Sequence, residues 1–194
     1  MTQVYDYLIK LLNTRKNRVT PAQIGIISPY RKQVQKLRKL LTDKKVIGKE
    51  EIKIGSVEEF QGQERRVIII STVRSNSEHL LEDEKFQLGF LRNPKRFNVA
   101  LTRAMSLLIV VGNPQILHLD YYWNQFLNYC IDNGGYTGMK FDPTADAIPI
   151  DDPGNPVDDL EARMKRLGLL NTNEEEENLS QLQAQVDPPW RDEQ

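Results

Sequence analysis

Apolar residues recur with two different periods along the first 140 positions, and their alternation predicts a repeated strand-and-helix fold. Spacings of three and four residues predict helices at the N-terminus, over residues 30–42, from residue 93 onward and from residue 123 to 131. Short apolar runs predict strands at 24–28, 52–57, 67–73 and 107–112. The pattern therefore predicts an α/β fold, a parallel sheet with helices on both faces.

The predicted helix that begins at Asn93 and Pro94 carries two arginines of chemical interest. Asparagine is a preferred helix cap and proline a preferred first helical residue. An apolar stripe follows at helical spacing and comprises Phe97, Ala100, Leu101 and Ala104. Helical spacing places Arg96 and Arg103 together on the opposite face, where a fixed cation can meet an anion. Arg103 either supplies a positive charge to a phosphoryl-transfer site of a neighbouring domain or is an ordinary solvated arginine.

Four polar stretches adjoin the predicted strands, and we expect them to meet at one edge of the sheet. Ligands of parallel sheets gather at the carboxyl ends of the strands. The stretches are Ser28–Tyr30, Ser56–Glu64, Val73–Arg74 and the loops on either side of the helix around Asn98. The sequence predicts that they form one continuous polar site.

Beyond residue 141 the periodicity fades, and the composition predicts an acidic, largely disordered tail over residues 142–194. Residues 143–194 contain four basic and thirteen acidic side chains, a net charge of −9, whereas residues 1–142 contain 22 and 14, a net charge of +8. A basic globule suits a polyanionic partner. The tail ends with one isolated tryptophan, Trp190, between prolines and acidic residues.

Composition also excludes several classes of protein. The chain has one cysteine, Cys130, and two histidines, which excludes an internal disulfide framework and a zinc cluster. The sequence has no apolar run long enough to cross a bilayer and no signal-peptide pattern at its start. We therefore expect no membrane partner, no metal held by this chain and a cytoplasmic or nuclear location.

Three stretches of the chain resemble motifs IV, V and VI of superfamily 1 helicases of the up-frameshift type. They are Ile27–Gln33, Ser56–Glu64 followed by Val67–Arg74, and Asn98–Ala104. The stretches occur in the family's order, and the resemblance covers residues 20–140. It implies a second RecA-like domain over residues 1–141, with ATP in the cleft between this domain and a first one.

The resemblance also implies a nucleotide-binding set of residues. Arg103 matches the arginine finger of motif VI, which neutralises charge that develops on the γ-phosphate. Gln61, Gly62 and Glu64 match motif V, in which the glycine lets the backbone approach the nucleotide. Glu64 would accept a hydrogen bond from the ribose or orient Arg103; the alternative is an ordinary surface carboxylate.

A second implied set would contact nucleic acid. Ser28, Pro29, Tyr30, Ser56 and Arg74 would lie on that side, where hydroxyls, backbone amides and cations hold phosphates without reading sequence. For Tyr30, simple packing at the end of the sheet is an equal alternative.

Missing motifs limit what the chain can do by itself. The sequence contains neither a Gly-x-x-x-x-Gly-Lys-Ser/Thr phosphate loop nor an Asp-Glu metal-binding box. The family's upstream aromatic-arginine stretch is also missing, so Met1 begins partway through the expected domain. The resemblance therefore implies that a first RecA-like domain of the same protein binds most of the ATP and Mg²⁺. We expect this chain alone neither to hydrolyse ATP nor to unwind RNA.

The resemblance implies half of an ATP-dependent helicase that moves 5′ to 3′ along single-stranded RNA. It further implies a role in RNA silencing or mRNA decay and a location in the cytoplasm or in RNA granules. Two alternatives remain: a DNA helicase relative, because these motifs contact the backbone, and an ATP-independent scaffold for RNA and protein. We expect Trp190 to dock on a silencing partner such as an Argonaute protein or a decay factor, or else to pack on its own domain.

Overall fold

A four-stranded parallel sheet forms the centre of the domain. The computed structural model describes residues 1–46, 52–73 and 94–141. Within these ranges the strand order is β2-β1-β3-β4, and each neighbouring pair is parallel. The strands are β1 (Ile24–Ile27), β2 (Lys53–Gly55), β3 (Arg65–Ser71) and β4 (Ala104–Val111). The predicted α/β fold with a parallel sheet is confirmed.

Helices cover both faces of this sheet. They are α1 (Thr2–Asn13), α2 (Arg31–Asp43), α3 (Pro94–Leu101), α4 (Pro114–Leu117) and α5 (Tyr121–Asp132), with single 3-10 turns at Pro21–Gln23 and Glu58–Phe60. The buried residues of α1 and α2 share one core with one face of the strands. Those of α3, α4 and α5 share a second core with the other face. The predicted two-sided covering is therefore also confirmed.

The two cores explain why the sequence of a strand is apolar at nearly every position. Successive side chains of a strand point to opposite faces. In β3, Val67 and Ile69 join the core under α1 and α2, whereas Ile68 and Ile70 join the core under α3 and α5. A strand buried on both faces needs an apolar residue at each position.

The boundary between α3 and β4 differs from the prediction. The helix ends at Leu101 and β4 begins at Ala104, so Ala104 belongs to the strand and Arg103 to the turn between them. The reason is a contact between strands: the backbone N–H of Arg65 donates to the carbonyl of Arg103 at 3.0 Å. This hydrogen bond draws the chain into the sheet earlier than its apolar pattern suggests.

The end of α5 agrees with the prediction. The helix stops at Asp132, and Gly134 follows with a φ of 67°, a left-handed conformation that favours glycine. None of the described helices is long and apolar enough to cross a membrane. The predicted disordered tail, residues 142–194, lies outside the described residues, as do Asn93, Arg74 and Trp190.

Candidate functional site

The guanidinium of Arg103 is held along one edge. Its Nε donates to the carbonyl oxygen of Val99 at 3.1 Å, and its Nη2 donates to the hydroxyl of Thr102 at 3.0 Å. Among residues 1–46, 52–73 and 94–141, nothing forms an ion pair with Arg103 or a hydrogen bond with its Nη1. The partly buried side chain therefore keeps donors that an external anion can use.

Local backbone contacts fix the position of this arginine. Thr102 closes the last turn of α3, since its hydroxyl donates to the carbonyl of Asn98 at 2.8 Å. The carbonyl of Val99 is near the C-terminus of α3, where the helix dipole favours a cation. The hydrogen bond from Arg65 holds the other side of the turn. The pairing of β3 with β4 is also irregular between Arg65 and Val67, and such bulges commonly occur beside functional sites.

The stretch Gln61–Glu64 leads into β3 at the same end of the sheet as Arg103. Gly62 has a φ of 71°, and a Cβ built there would meet no atom within 4 Å. The position thus needs glycine for its backbone conformation and not for space. Gln61, Gly62 and Glu64 are all exposed. Glu64 directly precedes Arg65, so it lies beside the hydrogen-bonded pair that contains Arg103.

The predicted nucleic-acid residues lie at the other end of the sheet, where β1 and β2 finish. Ser28 follows β1, and its N–H donates to the carbonyl of Gly55 at 3.1 Å. The Ser28 side chain is fully buried, and its hydroxyl has no hydrogen-bond partner in the described part of the chain. Tyr30 precedes α2 and accepts backbone hydrogen bonds from its first turn. Pro29 and Tyr30 are partly buried.

The prediction of a single polar edge is wrong. Residues that follow parallel strands lie at one end of a sheet, and residues that precede them lie at the other. The stretch Ser56–Glu64 starts after β2 and returns to its beginning, because Lys53 Nζ donates to Gln63 Oε1 and, at 2.7 Å, to the carbonyl of Glu59. The described members of the nucleic-acid set therefore lie at the carboxyl ends, and the nucleotide set lies at the amino ends.

Ser56 has a structural role that its sequence context explains. The pattern Ser-x-x-Glu over residues 56–59 is typical of a capping box. The N–H of Glu59 donates to Ser56 Oγ at 3.3 Å, and the N–H of Ser56 donates to Glu59 Oε1 at 3.2 Å. Glu59 also pairs with Arg38 at 3.2 Å. This network fixes the turn that follows β2.

An ion pair joins the same turn to α3. Arg96 Nε donates to Glu58 Oε1 at 2.8 Å, and the Arg96 side chain is only 12% exposed. Burial raises the pKa of Glu58, but hydrogen bonds from its own backbone and from Ser56, together with the charge of Arg96, outweigh burial. The net pKa is below the ordinary value, so the carboxylate is charged at neutral pH.

Sequence reasoning missed this pair. The helical pattern placed Arg96 and Arg103 together on one face, whereas the structure joins Arg96 to Glu58, a residue 38 positions away. The capping box was visible in the sequence, but the partner of Glu58 was not. In the described ranges, no group of three or more His, Cys, Asp and Glu side chains could hold a metal ion.

Comparison with known proteins agrees with the motifs. Residues 1–115 match a family model described as an AAA domain. The chain is 48% identical over 202 residues to putative helicase mov-10-B.1 of Danio rerio, a match that covers 98% of this chain and 19% of that protein. It is 48% identical over 160 residues to RNA helicase Mov10l1 of Homo sapiens, covering 80% of this chain and 13% of that protein.

A more distant match links the chain to the up-frameshift type. It is 41% identical over 129 residues to the regulator of nonsense transcripts 1 homolog of Drosophila melanogaster, covering 64% of this chain and 10% of that protein. The stretches Phe90–Phe97, Asn133–Thr137 and the terminal Pro189–Arg191 further resemble the vertebrate RNA helicase named for Moloney leukaemia virus resistance. The chain spans about a fifth of the length of the first of these relatives. It belongs to the AAA domain family, as a C-terminal RecA-like domain of the up-frameshift type of superfamily 1 helicases.

Proposed function

We propose that this domain is the C-terminal motor half of an ATP-dependent RNA helicase and that Arg103 is its arginine finger. The observation that carries the proposal is the guanidinium held at Nε and Nη2, with Nη1 unpaired within the described structure. A donor pre-set in this way can stabilise charge on a transferring phosphoryl group without reorganising. The nucleotide itself would be held mainly by a first RecA-like domain of the same protein, which would bind ATP and Mg²⁺.

The placement of motif V supports a nucleotide at the amino end of the sheet. Gln61, Gly62 and Glu64 are exposed beside the turn that contains Arg103. An exposed carboxylate suits a ribose hydroxyl, and a glycine without nearby atoms lets a ligand approach the backbone. We therefore assign these three residues and Arg103 to ATP.

The opposite end of the sheet suits single-stranded RNA. There Pro29 and Tyr30, which are partly buried, follow Ser28 beside the end of β2, and Arg74 follows Val73 in the sequence. The Ser28 side chain is fully buried, so this residue would contribute through its backbone position. The net charge of +8 over residues 1–142 favours a polyanion. A relative named as an RNA helicase supports RNA as the substrate. Movement in the 5′ to 3′ direction is part of the proposal and follows from the resemblance of the three motifs.

The proposal is tested by ATP hydrolysis in a polypeptide that contains both RecA-like domains. Arg103→Ala should lower RNA-stimulated turnover by about 10³- to 10⁵-fold, because the developing phosphoryl charge loses its cation. Lys95→Ala is the matched control, since Lys95 is an exposed cation on α3. Turnover of the Arg103 variant at the level of the control would overturn the proposed role.

Two competing functions are separated by binding measurements. A DNA helicase relative would bind single-stranded DNA at least as tightly as RNA of matched sequence. A scaffold that does not use ATP would have the same Kd for RNA with and without nucleotide. Arg103→Ala would not change that Kd.

We further propose that the acidic tail recruits silencing or decay factors in the cytoplasm or in RNA granules, with Trp190 as the anchor. An indole flanked by prolines can bury a large surface at a low ordering cost. Trp190→Ala should reduce recovery of an Argonaute protein in a pull-down by the full-length protein. Unchanged recovery would reject this role for the tail.

A further inference from the structure

One partly buried ion pair joins the elements that carry the two proposed ligand sets. Ser56 lies at the carboxyl end of β2, and Glu58 follows two residues later in the same turn. Arg96 belongs to the first turn of α3, and α3 ends beside Arg103. One ionic contact and one short helix therefore form a connection between the two ends of the sheet.

We propose that the Glu58–Arg96 pair is a positioning contact that couples RNA binding near Ser56 to the placement of Arg103. This inference rests on the proposed function, since it needs RNA at one end of the sheet and ATP at the other. Neither residue is proposed to touch RNA, ATP or the reacting atoms.

The helix in this path behaves as a rigid body. Phe97 and Ala100 of α3 are buried in the second core, and the ring of Phe97 packs edge-on against Trp123 at 4.9 Å. A close-packed helix moves as a unit because its side chains interlock with their neighbours. Since Arg103 Nε donates a hydrogen bond to the carbonyl of Val99, a small movement of α3 also moves the guanidinium.

At the other end of this connection, the Ser56 hydroxyl is a group that both the turn and an RNA phosphate can bind. That hydroxyl accepts from the N–H of Glu59, and the turn that it caps carries Glu58. If Ser56 donated its proton to an RNA phosphate, the bound phosphate would fix the turn that holds Glu58 against Arg96. RNA binding would thereby tighten the contact between the turn and α3.

The same turn offers a matched control. Arg38 pairs with Glu59 at 3.2 Å, but both side chains are about half exposed, at 51% and 50%. Exposed pairs of this kind contribute little because water screens them. Arg38 also lies on α2 under the other face of the sheet, away from α3. Breaking this pair removes an ion pair from the turn, and with it the hydrogen bonds from Arg38 to the Ile54 carbonyl, but leaves the Glu58–Arg96 contact itself in place.

The test compares basal and RNA-stimulated ATP hydrolysis in a polypeptide with both RecA-like domains. Glu58→Gln and Arg96→Gln should each lower RNA-stimulated kcat by about tenfold, while basal kcat, the KM for ATP and the Kd for RNA change by less than about twofold. Arg38→Gln should leave all four quantities unchanged. The charge-swapped double variant, Glu58→Arg with Arg96→Glu, should recover part of the stimulation.

Two results would overturn the inference. One is equal loss of basal and stimulated turnover, which would show that the pair only supports the fold. The other is unchanged stimulation in every single variant, including Glu58→Asp and Arg96→Lys, which keep charge and disturb folding least. Failure of the proposed function gives a different result, because Arg103→Ala would then leave turnover intact whatever Glu58 and Arg96 do.

Discussion

At the residue scale, two donors of the Arg103 guanidinium are used inside its own turn. The carbonyl of Val99 and the hydroxyl of Thr102 engage Nε and Nη2. Fixing one edge of a guanidinium lowers the side-chain entropy still to be lost when the other edge binds an anion. The arginine itself was identified from sequence, but its partners were not, because they depend on where α3 ends.

Glu58 should make the stability of the domain depend on pH in acid. Its pKa in the folded state lies below its ordinary value of 4.5, so the folded state is favoured most above that value. The stabilisation is lost as the pH falls through the folded pKa. We expect Glu58→Gln to flatten the fall in Tm between neutral pH and about pH 3, as followed by circular dichroism. Parallel Tm profiles for the two proteins would contradict this assignment.

Ser56 should matter for stability as well as for RNA. Removal of the hydroxyl in Ser56→Ala deletes the acceptor for the Glu59 N–H, which should cost about 0.5–2 kcal/mol of unfolding free energy. Ser56→Asn keeps an acceptor at the cap and should recover most of that loss. Urea titration measures both values. Equal unfolding free energies for the original protein and Ser56→Ala would show that the cap contributes nothing.

At the element scale, the strands were predictable and their ends were less so. Runs such as Val67–Ser71 are apolar at nearly every position because both faces are buried, a signal that needs no tertiary information. The start of β4 was misjudged by three residues, because the hydrogen bond from Arg65 to Arg103 decides it. That bond joins segments distant in sequence and leaves no local pattern.

The central strand should be intolerant of a side chain at Gly25. A Cβ there would lie 2.6 Å from Cε1 of Phe60 and 2.7 Å from Cδ1 of Ile68, and both residues are fully buried. We expect Gly25→Ala to lower the free energy of unfolding by about 1–3 kcal/mol through overpacking. Measured by urea denaturation, this loss should shrink in a Phe60→Leu background.

Gly62→Ala provides the comparison for Gly25. A Cβ at Gly62 meets nothing within 4 Å, so its cost comes from a φ of 71° and should be about 1 kcal/mol. That cost should be the same with Phe60 or Leu at position 60. If Phe60→Leu relieves both glycine substitutions equally, crowding is not the reason for Gly25.

At the scale of the whole molecule, the sheet separates two surfaces that the sequence appeared to join. Chain order indicated that each polar stretch follows a strand, but Gln61–Glu64 and Arg103 precede β3 and β4. The strand order β2-β1-β3-β4 is not sequential, so which loops meet could not be read from the motifs alone. If ATP and RNA bind at opposite ends of one sheet, as proposed, the domain needs an internal connection between them.

The proposed nucleotide site, shared between two domains, would make this chain dependent on the first RecA-like domain. The purified chain should show no ATP turnover above that of Arg103→Ala, because its sequence contains neither a phosphate loop nor an Asp-Glu metal-binding box. It should still bind single-stranded RNA weakly, with an affinity that falls steeply as salt rises. ATP turnover by the isolated chain that Arg103→Ala abolishes would contradict the proposal that a second domain is required.

Arg103 is proposed to reach a nucleotide that another domain holds. The most direct test is a structure of the two-domain protein with single-stranded RNA, ADP and a fluoride mimic of the transferring phosphoryl group. We expect an Nη atom of Arg103 to lie about 3 Å from the mimic, with Nε still hydrogen-bonded to the Val99 carbonyl. A closed active site in which Arg103 points away from the mimic, or a nucleotide bound at the carboxyl end of the sheet, would contradict it.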